Sequence, residues 1–166
     1  MKADKWEYVI QKGTELGAHS FIPLKAARSV VKWDEKKGDK KVERWTKIAS
    51  EAAEQSHRQV VPNVDSPVTL KQLLQLADEY THKIVAYEEE ARSGDTTNFS
   101  TVLQSMKSSN SVMMVFGPEG GLTEEEVTQL LNKGFVACAL GPRILRAETA
   151  PLYALSALSY KLELER

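Results

Sequence analysis

Two short stretches hold the residue types that could do chemistry. Val-Met-Met-Val-Phe (112–116) runs into Gly-Pro-Glu-Gly-Gly (117–121), and Leu-Gly-Pro-Arg-Ile-Leu-Arg-Ala-Glu-Thr-Ala (140–150) follows a second apolar run, 135–140. Each loop follows a strand-like run and precedes a helical pattern, so the pair reads as two walls of one ligand site. The first loop is like a phosphate loop only in its glycines. A phosphate loop presents free N–H groups and an open helix N-terminus at G-x-G-x-x-G or G-x-x-x-x-G-K-[ST] spacing. Here Pro118 removes a donor, Glu119 adds negative charge, and Glu124, Glu125 and Glu126 already occupy the positive end of the next helix. An acidic, glycine-lined loop suits a ligand that is neutral or cationic where it meets the backbone, such as a sulfonium nucleoside. A tight turn with no ligand also explains the glycines. In the second loop Arg143, Arg146 and Glu148 bracket Ile144 and Leu145, an apolar floor for a flat ring with polar groups at its edge. A structural Arg146–Glu148 contact would account for the charges but not for the apolar pair.

These loops need elements to position them. Trp6, Val9, Ile10, Gly13 and Leu16 recur at helical spacing, and Gly17 stands as a C-cap. Residues 20–24 read as a strand edged by Pro23, with a second brief run at 29–31. The charged segment 32–41 reads as an exposed loop before a helix from about Lys40 to Arg58, whose core face is Val42, Trp45, Ile48, Ala49, Ala52 and Gln55. Gln59 to Pro62 is expected to end that helix and begin a strand. A helix follows around Leu70–Ala77, then a strand at 83–87, a polar loop from the glutamates 88–90 to Asn98, and a short helix from Phe99. After the strand 112–116, Thr123 and Glu126 form a capping-box signature for a helix over 124–133 closed by Gly134. A strand over 135–140 and a helix over about 150–164 complete the chain. That last helix is apolar almost all round in its first half, so it is expected to be buried or to lie at a subunit interface.

Strands alternating with helices predict an α/β domain with a mostly parallel sheet, spanning 1–166 as one unit. Its ligands belong beyond the carboxyl ends of the strands, where both loops stand. The bulk numbers agree with a globular protein: 42% hydrophobic and 27% charged residues, with no apolar run long enough for a membrane span and no signal-peptide layout. A cytosolic location is expected. The one cysteine, Cys138, excludes an intrachain disulfide and any cysteine-based metal site, and reads as a buried small hydrophobe. The net charge of −1 argues against a strongly basic nucleic-acid binder, although residues 1–58 carry +4 and the remainder −5. A polyanion-facing front half and plain solvated helix faces both fit that asymmetry.

Taken together, Lys12-Gly13-Thr14-Glu15-Leu16-Gly17, Glu51-Ala52-Ala53-Glu54-Gln55-Ser56-His57-Arg58, Gly117–Gly121 and Leu140–Ala150 closely resemble the ribosomal small-subunit RNA methyltransferase E family, within the SPOUT superfamily of knotted methyltransferases. The resemblance covers essentially the whole chain in order. It implies S-adenosylmethionine-dependent methylation of N3 of a uridine in 16S ribosomal RNA by a homodimer, with the cofactor in a C-terminal trefoil knot at about 112–166. No metal is implied. On the family pattern the cofactor pocket is lined by Tyr87, Glu88, Gly117, Pro118, Glu119, Gly120, Gly121, Leu140, Gly141, Ile144, Leu145 and Arg146. Family members usually carry an N-terminal PUA-like domain, and this chain begins about where the methyltransferase domain starts, so that domain is expected to be absent from it.

The uridine N3 is protonated at neutral pH, so the reaction needs a proton acceptor and stabilisation of the resulting anion. Arg146 is the candidate for the anion, and Glu148 or Glu15 for the proton. Arg28, Arg44 and Arg58 are candidates for RNA phosphates, since an arginine fork matches phosphate oxygens. The alternatives are a SPOUT enzyme acting on a ribose 2′-hydroxyl or another base, a non-catalytic RNA-binding module on the same fold, and a nucleotide-dependent Rossmann enzyme, which the missing phosphate loop disfavours.

Overall fold

A computed structural model describes residues 3–29, 35–87 and 97–165, with no side-chain detail at 3, 35–37 and 97. The described elements are α1 (Ala3–Glu15), β1 (Ser20–Phe21), α2 (Glu35–Gln55), β2 (Asn63–Val64), α3 (Leu70–Ala77), β3 (His82–Ala86), α4 (Thr97–Ser105), β4 (Val112–Phe116), α5 (Glu124–Asn132), β5 (Val136–Cys138) and α6 (Thr149–Ser159), which passes into a π-helical turn at Tyr160–Leu164.

Alternation of side chains along the strands decides the layering. On β3, Ile84 faces one side and Val85 the other; on β4, Met113 and Val115 share the side of Val85. That side packs on Leu73, Leu74 and Ala77 of α3 and Val127 and Leu130 of α5. The opposite side, with Ile84 and Cys138, packs on Phe99 of α4 and on Ala154 and Leu158 of α6. A parallel sheet covered on both faces results, as the alternating order of elements predicts. β3 is central, with β4 on one side and β5 on the other, and all pairs are parallel: Ala86 lies opposite both Phe116 and Cys138. The chain therefore leaves β3 for one edge and returns to the other, and a crevice opens at the carboxyl ends where the direction switches.

The front of the chain forms a separate cluster. Trp6 meets Trp45 and Phe21 edge-on, at centroid distances of 5.9 and 6.3 Å, and Val9, Ile10 and Ala49 fill in around them. β1 and β2 pair in parallel beside this cluster, and Leu155 of α6 packs against it. Gly13 lets the layers approach, because a Cβ there would lie 2.7 Å from the Phe21 ring and 3.4 Å from Leu155.

Three helices stop by the same device, a C″ amide reaching back to the C3 carbonyl across a left-handed residue. Gly17 does this for α1 (Ala18 N–H to Gly13 O, 3.0 Å) and Gly134 for α5 (Phe135 N–H to Leu130 O, 3.1 Å). At the end of α2 the left-handed residue is His57, at φ 62°, with Arg58 N–H on Ala53 O at 2.8 Å. The Thr123–Glu126 capping box opens α5 as expected, and Thr69 with Gln72 does the same for α3.

Some expectations need correction. Helix α2 starts at Glu35 and not near Lys40, because lysine and glutamate are good helix formers even when no apolar residue marks a core face. It ends at Gln55, with 56–58 forming the cap. The run 59–62 does not begin a strand: Val60 and Val61 are exposed, and pairing starts at Asn63. Of the strand expected over 20–24 only Ser20 and Phe21 join a ladder; Pro23 interrupts it and Leu24 makes a single bridge to Val68. Most of the run expected at 29–31, and the polar loop at 88–96 including Glu88, lie outside the described residues.

Candidate active site

The crevice at the sheet's carboxyl end is a cleft of about 630 Å³, within the range of small-molecule sites, roughly 300–1,000 Å³. The ends of all three strands reach it: Ala86 and Tyr87 from β3, Phe116 and Gly117 from β4, Cys138 and Ala139 from β5. Gly117 to Leu122 form one wall, and Leu140 with Arg143 to Glu148 form the other. The two loops read from the sequence thus face each other. Gly141 is not itself on the lining; it makes the turn between Leu140 and Arg143 at φ 86°, where a Cβ would meet the Tyr153 hydroxyl at 3.3 Å.

The first wall is pinned from outside. The Arg28 guanidinium donates to the Gly120 carbonyl at 3.2 Å, and a Cβ on Gly120 would lie 3.3 Å from the Arg28 Cβ. Glu126, one of three glutamates opening α5, turns inward and is buried. One oxygen accepts from its own N-cap, Thr123 N–H (2.8 Å), and the other from Ala27 N–H (3.1 Å). That carboxylate therefore ties the segment after β1 to the helix that the glycine loop leads into. The sequence marks the capping contact with Thr123 but carries no sign of the bond to Ala27, 99 residues away.

The second wall ends in a tight turn in which the Arg146 carbonyl accepts from Thr149 N–H (2.9 Å) and Ala150 N–H (3.0 Å). The turn leaves Glu148 at the N-cap of α6, yet its side chain does not cap the helix. Its carboxylate faces the cleft instead, 3.7 Å from the Lys5 ammonium of α1. Oε2, the oxygen that faces Lys5, is buried and makes no hydrogen bond among the described residues, its charge being met by that ammonium. Lys5, on the lining and tied to Glu148, carried no signal in the sequence.

The other candidates lie elsewhere. Glu15 is not on this cleft; it pairs with Lys12 at 3.3 Å in a second depression between α1 and α2. Arg44 is paired with Glu7 on the exposed side of α1. Arg58 is half-buried and donates to the Thr14 and Ala18 carbonyls at 3.0 and 2.8 Å, fastening the end of α1 to the end of α2. Of the three arginines assigned to phosphates, only Arg28 borders the cleft. Among the described residues no group of three His, Cys, Asp or Glu side chains could hold a metal ion.

A parallel sheet with a glycine-walled cleft at its switch point defines an α/β domain with a small-molecule site at the carboxyl ends of its strands. The family model of the RNA methyltransferase domain matches residues 1–159, and the chain belongs to that family. Within it the similarity runs to the ribosomal small-subunit methyltransferase E proteins, as the four motifs predict. The ribosomal RNA small subunit methyltransferase E of Bacillus subtilis (strain 168) is 59% identical over 165 residues, which are 99% of this chain and 64% of that protein. A solved ribosomal RNA small subunit methyltransferase E from Neisseria gonorrhoeae, bound to S-adenosyl methionine, is 32% identical with a TM-score of 0.81, covering 96% of this chain and 62% of that one. A Legionella pneumophila methyltransferase solved with bound SAM is 33% identical with a TM-score of 0.80, covering 93% and 60%. The chain thus spans somewhat less than two thirds of the length of these relatives.

Proposed function

We propose that this domain is the catalytic part of an S-adenosylmethionine-dependent methyltransferase that modifies N3 of a uridine in 16S ribosomal RNA. The observation that carries the reading is a cleft at the sheet's carboxyl end in which the glycine loop 117–121 faces the 140–148 loop, with the Glu148 carboxylate on its lining beside Lys5. Relatives similar in fold, at TM-scores of 0.80 and 0.81, have been solved with that cofactor bound.

The cleft residues fit that cofactor. The backbone of 117–121 and of Leu140 would hold it, with Ile144 and Leu145 against its ring and Tyr87 at the end of β3. When bound, S-adenosylmethionine supplies a sulfonium-activated methyl group for in-line transfer to the base nitrogen. Glu148 takes the N3 proton, and Lys5 keeps its carboxylate turned toward the cleft. The Arg146 guanidinium faces the charge that spreads over the flanking carbonyl oxygens once N3 loses its proton. Leu145, packed against the core, closes the floor on that side, and Ile144 stands exposed where a bound ligand would cover it.

The finer features of this reading are a trefoil knot within about 112–166, a homodimer, and a cytoplasmic setting where the ribosomal substrate is found. Tyr153, Tyr160 and Leu164, exposed apolar residues along the final helix, support the dimer. The test uses the full-length protein: titration calorimetry with S-adenosylmethionine, then methyl transfer from labelled cofactor to 16S RNA or small subunits, with the product nucleoside identified by mass spectrometry. N3-methyluridine is expected. A 2′-O-methylated product would move the enzyme to another target, and an empty titration would overturn the reading.

A further inference from the structure

The motifs around Lys12–Gly17 and Glu51–Arg58 are not absorbed by the cofactor cleft. They converge on a second depression of about 370 Å³ between α1 and α2, lined by Gln11, Lys12 and Glu15 on one side and Glu51, Ala52 and Gln55 on the other. The two helices run in the same direction, since Glu7 meets Arg44 near one end and Glu15 shares a cleft with Gln55 at the other.

The cations of α2 lie where the helix itself does not favour them. Residues 35–47 hold six Lys and Arg against three Asp and Glu, while 48–55 hold two Glu and no cation. A helix dipole prefers the reverse order, so this gradient does not serve helix stability. Lys40, Arg44, Lys47, Glu51 and Gln55 recur at offsets of four, three, four and four, which puts them in one stripe. Lys40, Arg44 and Lys47 are exposed. The stripe therefore has Lys40 and Lys47 toward one end, with Arg44 between them paired to Glu7, and at the other end a pocket of two amides, two carboxylates and the Lys12 ammonium, which pairs with Glu15. Lys5, on the cofactor cleft, and Lys12, on this one, are seven residues apart on one face of α1, about 10 Å along the axis.

Resting on the reading that the substrate is RNA, we propose that the α1–α2 groove is a second RNA subsite that takes a nucleotide flanking the target uridine. The phosphates lie on the Lys40–Lys47 end, as point charges on an exposed stripe bind a polyanion without reading sequence. The base enters the pocket, where Gln11 and Gln55 each offer a donor and an acceptor. Glu51 accepts from an exocyclic amino group and repels phosphate, so a base with an amino edge fits better than a second uracil. Binding the neighbour in this groove would hold the strand while the target base enters the first cleft.

Two variants of the full-length protein test this. Lys40→Glu with Lys47→Glu is expected to weaken binding of a fluorescently labelled single-stranded 16S fragment at least tenfold, and to lower the slope of log affinity against log salt by about 1.4. Gln11→Ala with Gln55→Ala is expected to raise KM for RNA several-fold while kcat and the cofactor Kd stay unchanged. Both pairs are at the surface, and unchanged thermal melting checks that the fold persists. RNA affinity and KM unchanged in both variants would overturn the proposal. So would weakened binding of whole small subunits with normal binding of naked RNA, since that pattern assigns the groove to a protein partner. A wild-type protein that transfers no methyl group while the lysine pair still controls RNA affinity would sink the enzymatic reading and leave the subsite standing.

Discussion

Arg146 and Glu148 reach the same cleft from one turn, and the hydrogen bonds that make the turn are donated by the Thr149 and Ala150 amides to the Arg146 carbonyl and involve neither side chain. Substitution of the side chains therefore separates chemistry from folding. Arg146→Ala is expected to lower methyl transfer by about a hundredfold or more without moving the melting temperature; a radiolabel assay and a calorimetric scan read the two effects. Glu126 predicts the opposite behaviour. Glu126→Ala frees both Thr123 N–H and Ala27 N–H, and a cost of about 2–3 kcal/mol is expected in urea unfolding, together with weaker cofactor binding as the first wall loosens. Most of the cleft lining was legible, because loops following apolar runs fall at strand ends by construction. Lys5 and Arg28 show what was not. Arg28 is separated from Gly120 by 92 residues, and the sequence has no local mark of such a pairing. Arg58 shows the converse, since a guanidinium that looked right for phosphate is engaged by two main-chain carbonyls.

At the level of elements, period and capping chemistry carried the most information. The Thr123–Glu126 box and the glycines at 17 and 134 mark helix ends because their local conformations admit few residue types. The start of α2 escaped because its first turns have no apolar stripe to count. Val60 and Val61 misled because β-branched residues favour strands only where a partner strand exists. His57 occupies a position that glycine fills in the two other helices. His57→Gly is expected to stabilise the protein by about 1 kcal/mol, since a side chain in the left-handed region costs roughly that much, and a rise in the denaturation midpoint checks it. Gly13→Ala points the other way. Its Cβ would press on the buried Phe21 ring, and destabilisation of about 1–3 kcal/mol is expected in the same measurement.

On the scale of the whole molecule, two apolar packings share α6: its Ala154 and Leu158 seal one face of the parallel sheet, and its Leu155 joins the α1–α2 cluster. The sequence showed that this helix was too apolar for the surface but not that it would be divided between two cores. Tyr153, Tyr160 and Leu164 still stand out from it. Substituting Tyr160 and Leu164 by serine is expected to convert the proposed dimer into a monomer in light scattering at micromolar concentration, and an unchanged mass would exclude this face from its interface.

The one cysteine supplies a clock for the same architecture. Cys138 is fully buried at the end of β5, yet it borders the floor of the cleft. An alkylating reagent can reach it only when the sheet and α6 part. Where that parting is fast against alkylation, the labelling rate is the intrinsic thiol rate scaled by the open fraction. A molecule that occupies the cleft would slow labelling in proportion to its stabilisation of the closed form. Mass spectrometry of alkylated protein would thus follow ligand binding and breathing of the core from the native sequence, without an introduced probe.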